Sequence, residues 1–218
     1  MPITLIIAIA GIAALLIVLG IAGDKYLRPR MLHWGASPGE TGAKLEGDEL
    51  IPDPVLATTR SIEIHAGREK VWPWLAQMGQ GRGGFYSYDW LENLAGMDIH
   101  NASRIVPELQ NLQPGDLIPF WRGAGVNVVT VEPPGSLVLA ETFDLPAGDT
   151  GLTAAAGGTW VFNLKDQEPN ETRLLVRARV ARFQPGWLCW VMMRALEPMH
   201  FIMERKMMLR IKELAEKS

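Results

Sequence analysis

Residues 172–183 read TRLLVRARVARF, and residues 186–216 read GWLCWVMMRALEPMHFIMERKMMLRIKELAE. The first segment changes character at every second residue. Leu174, Val176, Ala178 and Val180 share one face, and Arg173, Arg177 and Arg179 share the other with Leu175, which is the period of a half-buried strand. The smaller, apolar face is expected to look inward. The second segment keeps the period of a helix. Trp187, Trp190, Val191, Arg194, Phe201, Ile202, Met208, Ile211 and Leu214 fall on one broad stripe, and the later charges suit a solvated outer face. Pro198 predicts a kink or a split, because it removes a backbone donor and crowds the preceding turn.

Upstream, the same alternation predicts strands near 58–65, 116–121, 126–132, 136–143 and 158–164, with a Pro-Pro-Gly turn at 133–135. A helix is expected over 67–78, where Val71, Leu75 and Met78 recur at helical spacing beside Trp74, and a short one over 87–96 capped by Ser87. The glycines of GQGRGG (79–84) permit tight turns, but the segment is no phosphate loop: it lacks both G-x-G-x-x-G after a strand and G-K-[ST]. An antiparallel sheet with segregated helices is an α+β fold. A curved sheet around one long C-terminal helix would leave an apolar gap between them.

The other end reads differently. Residues 3–23, ITLIIAIAGIAALLIVLGIAG, carry no charge, and such a run is long enough to cross about 30 Å of hydrocarbon at 1.5 Å per residue. A cleaved signal peptide is the competing reading. It normally has a basic start and a shorter apolar core, although Gly20, Ala22 and Gly23 would suit a cleavage site. Residues 1–23 are therefore expected to be a transmembrane anchor. Lys25, Arg28 and Arg30 follow it and no Lys or Arg precedes it, which predicts a single-pass membrane protein with its N-terminus outside and its domain in the cytoplasm. Residues 24–57 are rich in Pro and Gly and read as a juxtamembrane linker lying on a domain of 58–218.

Formal net charge is -3, and no basic stripe is present, which argues against nucleic acid as a partner. The single cysteine, Cys189, excludes an internal disulfide and, between Leu188 and Trp190, reads as core. Eight Trp and ten Met are many for 218 residues and suit either a well-filled core or an adaptable apolar cavity.

Several stretches in this order resemble one family: WGAS (34–37), GDELIPDP (47–54), TRSIEI (59–64), VWPWLAQMG (71–79), GGFYSYDWLENLAG (83–96), NASRIVPELQNLQPGD (101–116) and HFIMERKMMLRIKELAE (200–216). Together they are similar to the START-like, helix-grip superfamily, also labelled SRPBCC or polyketide cyclase/dehydrase-like, and to a membrane-anchored bacterial branch of it. The resemblance implies a hydrophobic cavity under the C-terminal helix. It does not imply a reaction, since members include carriers, receptors and cyclases.

Candidate chemistry is sparse. His33, His65, His100 and His200 show no H-x3-H spacing, and no C-x2-C exists. Glu197, His200 and Glu204 could line one helical face, but one E-x-x-H copy does not make a di-iron site, and a surface ion cluster accounts for the pattern. No metal or cofactor is expected. There is no G-x-S-x-G elbow. A cyclase-like pocket would need only one carboxylate or tyrosine with a shifted pKa in an apolar wall. Asp89, Glu92, Arg104 and His200 are the catalytic candidates, against a purely structural ion network. Trp74, Met78, Tyr86, Tyr88, Trp90, Trp160, Trp190 and Phe201 are the candidate ligand-binding residues, against simple packing.

The expected function is membrane-tethered binding of a lipid, isoprenoid or polyketide-like molecule. A cyclase, dehydratase or isomerase acting on such a ligand is the alternative. So is an accessory subunit docking on a membrane-protein partner, for which Ala10 and Ala14 form one small-x-x-x-small pair.

Overall fold

The alternating segment at 172–183 becomes one of the inner strands of a six-stranded sheet. The structure is a computed structural model and describes residues 18, 20–121, 124–144, 154–182 and 185–218. The strands are β1 (Leu56–Ile64), β2 (Leu117–Trp121), β3 (Ala124–Glu132), β4 (Ser136–Asp144), β5 (Ala154–Glu168) and β6 (Glu171–Val180). Their order is β1-β6-β5-β4-β3-β2, and every neighbouring pair is antiparallel. The helices are α1 (Arg28–Leu32), α2 (Pro38–Gly42), α3 (Arg68–Ala76), α4 (Asp89–Leu94) and α5 (Gly186–Glu216). This is the expected α+β arrangement, with a long final helix packed on an antiparallel sheet.

The two faces of β6 go to two different places. Leu174 and Val176 join Ile64, Leu137, Leu139, Phe162 and Leu164 in the main core, closed by Val71, Trp74 and Leu75 of α3 and by Met207, Met208, Ile211 and Leu214 of α5. Each such side chain stabilises the fold by roughly 1.5–3 kcal/mol when withdrawn from water. Leu175 faces the other way and meets Leu45, Val138 and Val161. Gly47 makes that approach possible: its φ is +87° and a Cβ there would lie 2.7 Å from Val138 Cγ1. The capping box Ser37/Glu40 starts α2 just upstream, with Ser37 N–H donating to Glu40 at 2.7 Å.

Arg177 then pins this segment to the sheet. It pairs with Asp48 at 2.7 Å and donates to the carbonyls of Ala43, Glu40 and Thr41 at 2.8, 2.9 and 3.2 Å. Much of the stretch read as a linker is thus held to the sheet, and β1 begins inside it at Leu56.

Four expectations are corrected. First, most of the proposed anchor, residues 1–17 and 19, lies outside the described residues, as do Ala10 and Ala14. Among the described residues no helix is long and apolar enough to cross a membrane, which overturns the single-pass, N-out placement. Residues 20–32 are helical but carry Asp24, Lys25, Arg28 and Arg30. Two of these charges tie the segment to α5, Arg28 through two 2.8 Å bonds to Glu197 and Asp24 through an ion pair with Arg194.

Second, Pro198 does not split α5, which runs unbroken for 31 residues. Third, the Trp-rich start of α5 does not face the sheet: Trp187 and Trp190 are 70% and 61% exposed. A helix of 31 residues is about 46 Å long, whereas strands of nine or ten residues reach about 30 Å, so the first turns overhang. Fourth, Ser87 is not a helix cap. α4 starts at Asp89, and the Ser87 hydroxyl instead donates to the Met203 carbonyl of α5 at 3.1 Å.

Candidate functional site

Where α5 leaves the tightly packed core, a cavity of about 390 Å³ opens between it, the sheet and α4. Phe85, Phe120 and Trp160 form its aromatic wall, with ring centroids 4.8 Å apart for Phe85–Phe120 and 6.4 Å for Phe85–Trp160. Leu196, Met199, Met203 and Met207 of α5 form the other wall, and the first two are exposed at its mouth. Four polar residues interrupt this lining: Ser87, Glu92, His200 and Glu204. Small-molecule sites have this make-up, mostly apolar with a few placed polar groups.

The loop before α4 is bent to present these residues. Tyr86 has φ +58°, a left-handed conformation that costs a residue with a Cβ about 1 kcal/mol or more. It is held there by its own N–H donating to Asn101 Oδ1 at 2.6 Å and by the Gln77 amide donating to its hydroxyl at 2.9 Å. Its ring turns into the core against Trp74, 5.9 Å away and edge-on. Its neighbours Phe85 and Ser87 are thereby left facing the cavity. Gly84 allows the loop to close on itself, bonding Gly79 in both directions at 3.0 Å; a Cβ on Gly84 would lie 2.5 Å from Asn101 Oδ1.

The floor of the site is a buried ionic network. Arg60 of β1 and Glu204 of α5 form an ion pair in which neither side chain reaches solvent. The Arg60 Nε–H donates to the Met31 carbonyl at 2.7 Å, and Trp160 Nε1–H donates to Glu204 at 2.9 Å. Arg60 also donates to His200 Nδ1 at 3.1 Å. A guanidinium can only donate, so Nδ1 carries no hydrogen and the ring proton is on Nε2. Burial lowers the His200 pKa, and the Arg60 cation adds to this, against the opposing pull of Glu204.

Glu92 is the outlier. It is 3% exposed, and among the described residues its Oε2 has no hydrogen-bond partner. Burial, reinforced by the charge of Asp89, pushes its carboxyl up to about 7. The unfolded carboxyl titrates near 4.5, so between 4.5 and 7 the native state holds a proton that the unfolded chain has lost. This makes stability fall as pH rises across that window. Glu40, held down to about 2 by Arg173, acts in the opposite sense but below pH 4.5. His33 and His200, lowered by burial, also oppose it below pH 6.5. Glu92→Gln isolates the effect. Its stability relative to the parent should rise with pH between 5 and 7, by up to about 1.4 kcal/mol per pH unit in denaturant titrations. Parallel profiles would remove Glu92 from this role.

The predicted site residues separate clearly. Glu92, His200 and Trp160 line the cavity. Phe201 does not; it packs edge-on against Trp34 at 6.4 Å and under the Arg60 guanidinium at 5.4 Å. Trp74, Met78 and Tyr86 are core residues. Tyr88 lies under Lys206, 5.8 Å from its ammonium. Trp90 and Trp190 are largely exposed, and Asp89 and Arg104 face solvent. Asp89 lies one residue before Trp90, to whose N–H its carboxylate bonds at 2.8 Å.

Glu197 and Glu204, read as members of a surface cluster, are both buried. Arg60, Ser87, Phe85 and Met203 were not singled out as site residues. Arg60 carried one usable signal: a charge among buried strand positions, which demands a buried counter-ion.

A larger polar cleft of about 480 Å³ lies behind the sheet, but its Arg177 and Arg179 are committed to Asp48. Among the described residues, Glu63, His65 and Glu171 bring three potential metal ligands within 4.8 Å at the surface, where His65 is already bonded to Glu171 at 2.9 Å.

No family model matches the sequence, and no curated protein matches it. Among solved structures, a protein from Mesorhizobium loti is 17% identical, with 75% of this chain and 98% of that chain covered and a TM-score of 0.38. A conserved protein from Geobacillus kaustophilus is 17% identical over 75% of this chain and 97% of that one, with a TM-score of 0.41. An HSP90 activator from Plasmodium falciparum is 12% identical over 67% and 93%, with a TM-score of 0.36. At these scores the likeness is distant, and nothing about ligand or activity passes from those proteins to this chain.

Proposed function

We propose that this chain binds a hydrophobic small molecule, such as a lipid, an isoprenoid or a polyketide-like compound, in the cavity between the sheet and α5. One observation carries this reading: a cavity of about 390 Å³ walled by three aromatic rings, three methionines and a leucine. A space of that size with so apolar a lining is within the range of small-molecule sites, and water gains little there.

Filling the cavity tests it. N-phenyl-1-naphthylamine, a neutral apolar dye, should fluoresce on binding the parent protein. Met203→Trp should weaken that binding by about tenfold or more, a loss of roughly 1.4 kcal/mol or more. Leu196→Trp, at the exposed mouth, serves as a second variant that leaves the core untouched. Equal dye binding by the parent and both folded variants would refute the reading, as would solvent extracts of purified protein that never contain a lipid-like molecule.

A second reading is favoured by Glu92 alone. A carboxyl titrating near neutrality in an apolar wall is suited to general acid–base work, so the cavity could process its ligand by cyclisation, dehydration or isomerisation. In that reading Glu92 is the proton-transferring group. Asp89 and Arg104 play no direct part, since neither lines the cavity.

A further inference from the structure

We propose that the cavity selects amphiphiles whose polar end donates hydrogen bonds: an alkylamine above the matching alcohol, and both above the matching carboxylate. This rests on the reading of the cavity as an apolar-ligand site and names its ligand class.

The inference follows from counting what the lining can still offer. Among the described residues, no Lys or Arg is in the lining. The Ser87 hydroxyl proton is spent on the Met203 carbonyl. The indole N–H of Trp160 is spent on Glu204. The one hydrogen of His200 is on Nε2, 3.5 Å from Glu204 Oε1 and too far for a normal hydrogen bond, so it stays a neutral donor in the lining. The Arg60 cation lies behind Glu204 and over the Phe201 ring, outside the lining. Once Glu92 has ionised, what remains is the neutral His200 N–H against the lone pairs of Ser87 and two carboxylates, one of which, Glu92, has an oxygen without a partner among the described residues.

Above neutrality, a carboxylate head entering this space would lose its water, find no cation among the described lining residues and face Glu92 and Glu204. An ammonium head would pair with Glu92 through a charge-assisted hydrogen bond and lie against the aromatic wall of Phe85, Phe120 and Trp160. A hydroxyl would gain the hydrogen bond without the charge.

The preference should depend on pH through Glu92. The ionisable groups around it are Asp89 on its own helix, His200 and Glu204 across the cavity on α5, and Lys206, which sits over Tyr88. Alkylamines stay protonated well above neutrality, so between pH 6 and 8 only the pocket changes charge. As Glu92 ionises, the advantage of amine over alcohol should grow.

The experiment displaces N-phenyl-1-naphthylamine with dodecylamine, dodecanol and dodecanoate, each below its micellar concentration, at pH 6 and pH 8. At pH 8, dodecylamine should bind about tenfold or more tighter than dodecanoate, with dodecanol between them. In Glu92→Gln, checked for folding by circular dichroism, the amine's lead over the alcohol should shrink to about threefold or less and lose its pH dependence. Dodecanoate equal to or tighter than dodecylamine, or an amine preference unchanged in Glu92→Gln, would overturn the proposal while leaving the cavity reading intact. Failure of the dye and all three amphiphiles to bind would overturn both.

Discussion

Arg60→Met is expected to destabilise the protein by about 3–5 kcal/mol, because it strands the Glu204 carboxylate in the interior with only Trp160 and His200 beside it. For a chain of this size that is a fall in Tm of roughly 6–20 °C. Glu204→Leu should cost a similar amount for the mirror-image reason. It leaves a buried guanidinium whose Nη2 already has no partner among the described residues.

The double variant is the informative one. Removing both charges removes both desolvation penalties, so Arg60→Met/Glu204→Leu should recover most of either single loss, a coupling of about 2 kcal/mol or more. Additive losses in thermal and denaturant unfolding would show that the two side chains act through packing and not as an ion pair. The pair matters to the site because Arg60 also sets the tautomer of His200, and Glu204 also holds the Trp160 indole.

Arg177→Met is the second large effect, about 3 kcal/mol or more. Arg177 is 3% exposed and serves five partners at once: Asp48, the Thr59 hydroxyl and the carbonyls of Glu40, Thr41 and Ala43. Methionine keeps much of the packing volume but strands buried acceptors, each costing about 1–3 kcal/mol where no water can reach. Asp48 keeps Arg179 at 3.0 Å, which holds the loss below that of a fully orphaned charge. Trypsin should then cut at Lys44 at concentrations that leave the parent intact. Arg179→Met, a more exposed partner, should lose about 1 kcal/mol or less. If Arg177→Met and Arg179→Met behave alike, residues 40–48 are held mainly by Leu45 in its apolar cluster.

Much of the fold was readable because it depends on local periodicity. The period of two in Leu174, Val176 and Ala178 and the period of 3.6 along 186–216 need no partner to be recognised, and each became the expected strand or helix. β5 was foreseen over 158–164 and extends from Ala154 to Glu168. Its length is set by pairing with both β4 and β6, which a single strand's own residues do not reveal.

The site was half readable for the same reason. Glu92, His200 and Trp160 were chosen by chemical type, and all three line the cavity. Trp90 and Trp190 were chosen by the same rule and point to solvent, because aromatic character does not tell which side of a helix the neighbours occupy. The Pro rule, applied at Pro198, allowed a kink or a split, and α5 is not split.

Sequence by itself determined the element types, the α+β class, the apolar face of β6 and the shortage of metal or nucleophile motifs, since each is a property of neighbours along the chain. Only the tertiary structure decided that Arg60 and Glu204, 144 residues apart, share one buried ion pair, and that Glu92 is buried against the cavity. Burial and charge placement come from packing between distant segments, and it is these that turn an ordinary glutamate of the cavity wall into a group poised to change its charge near neutrality.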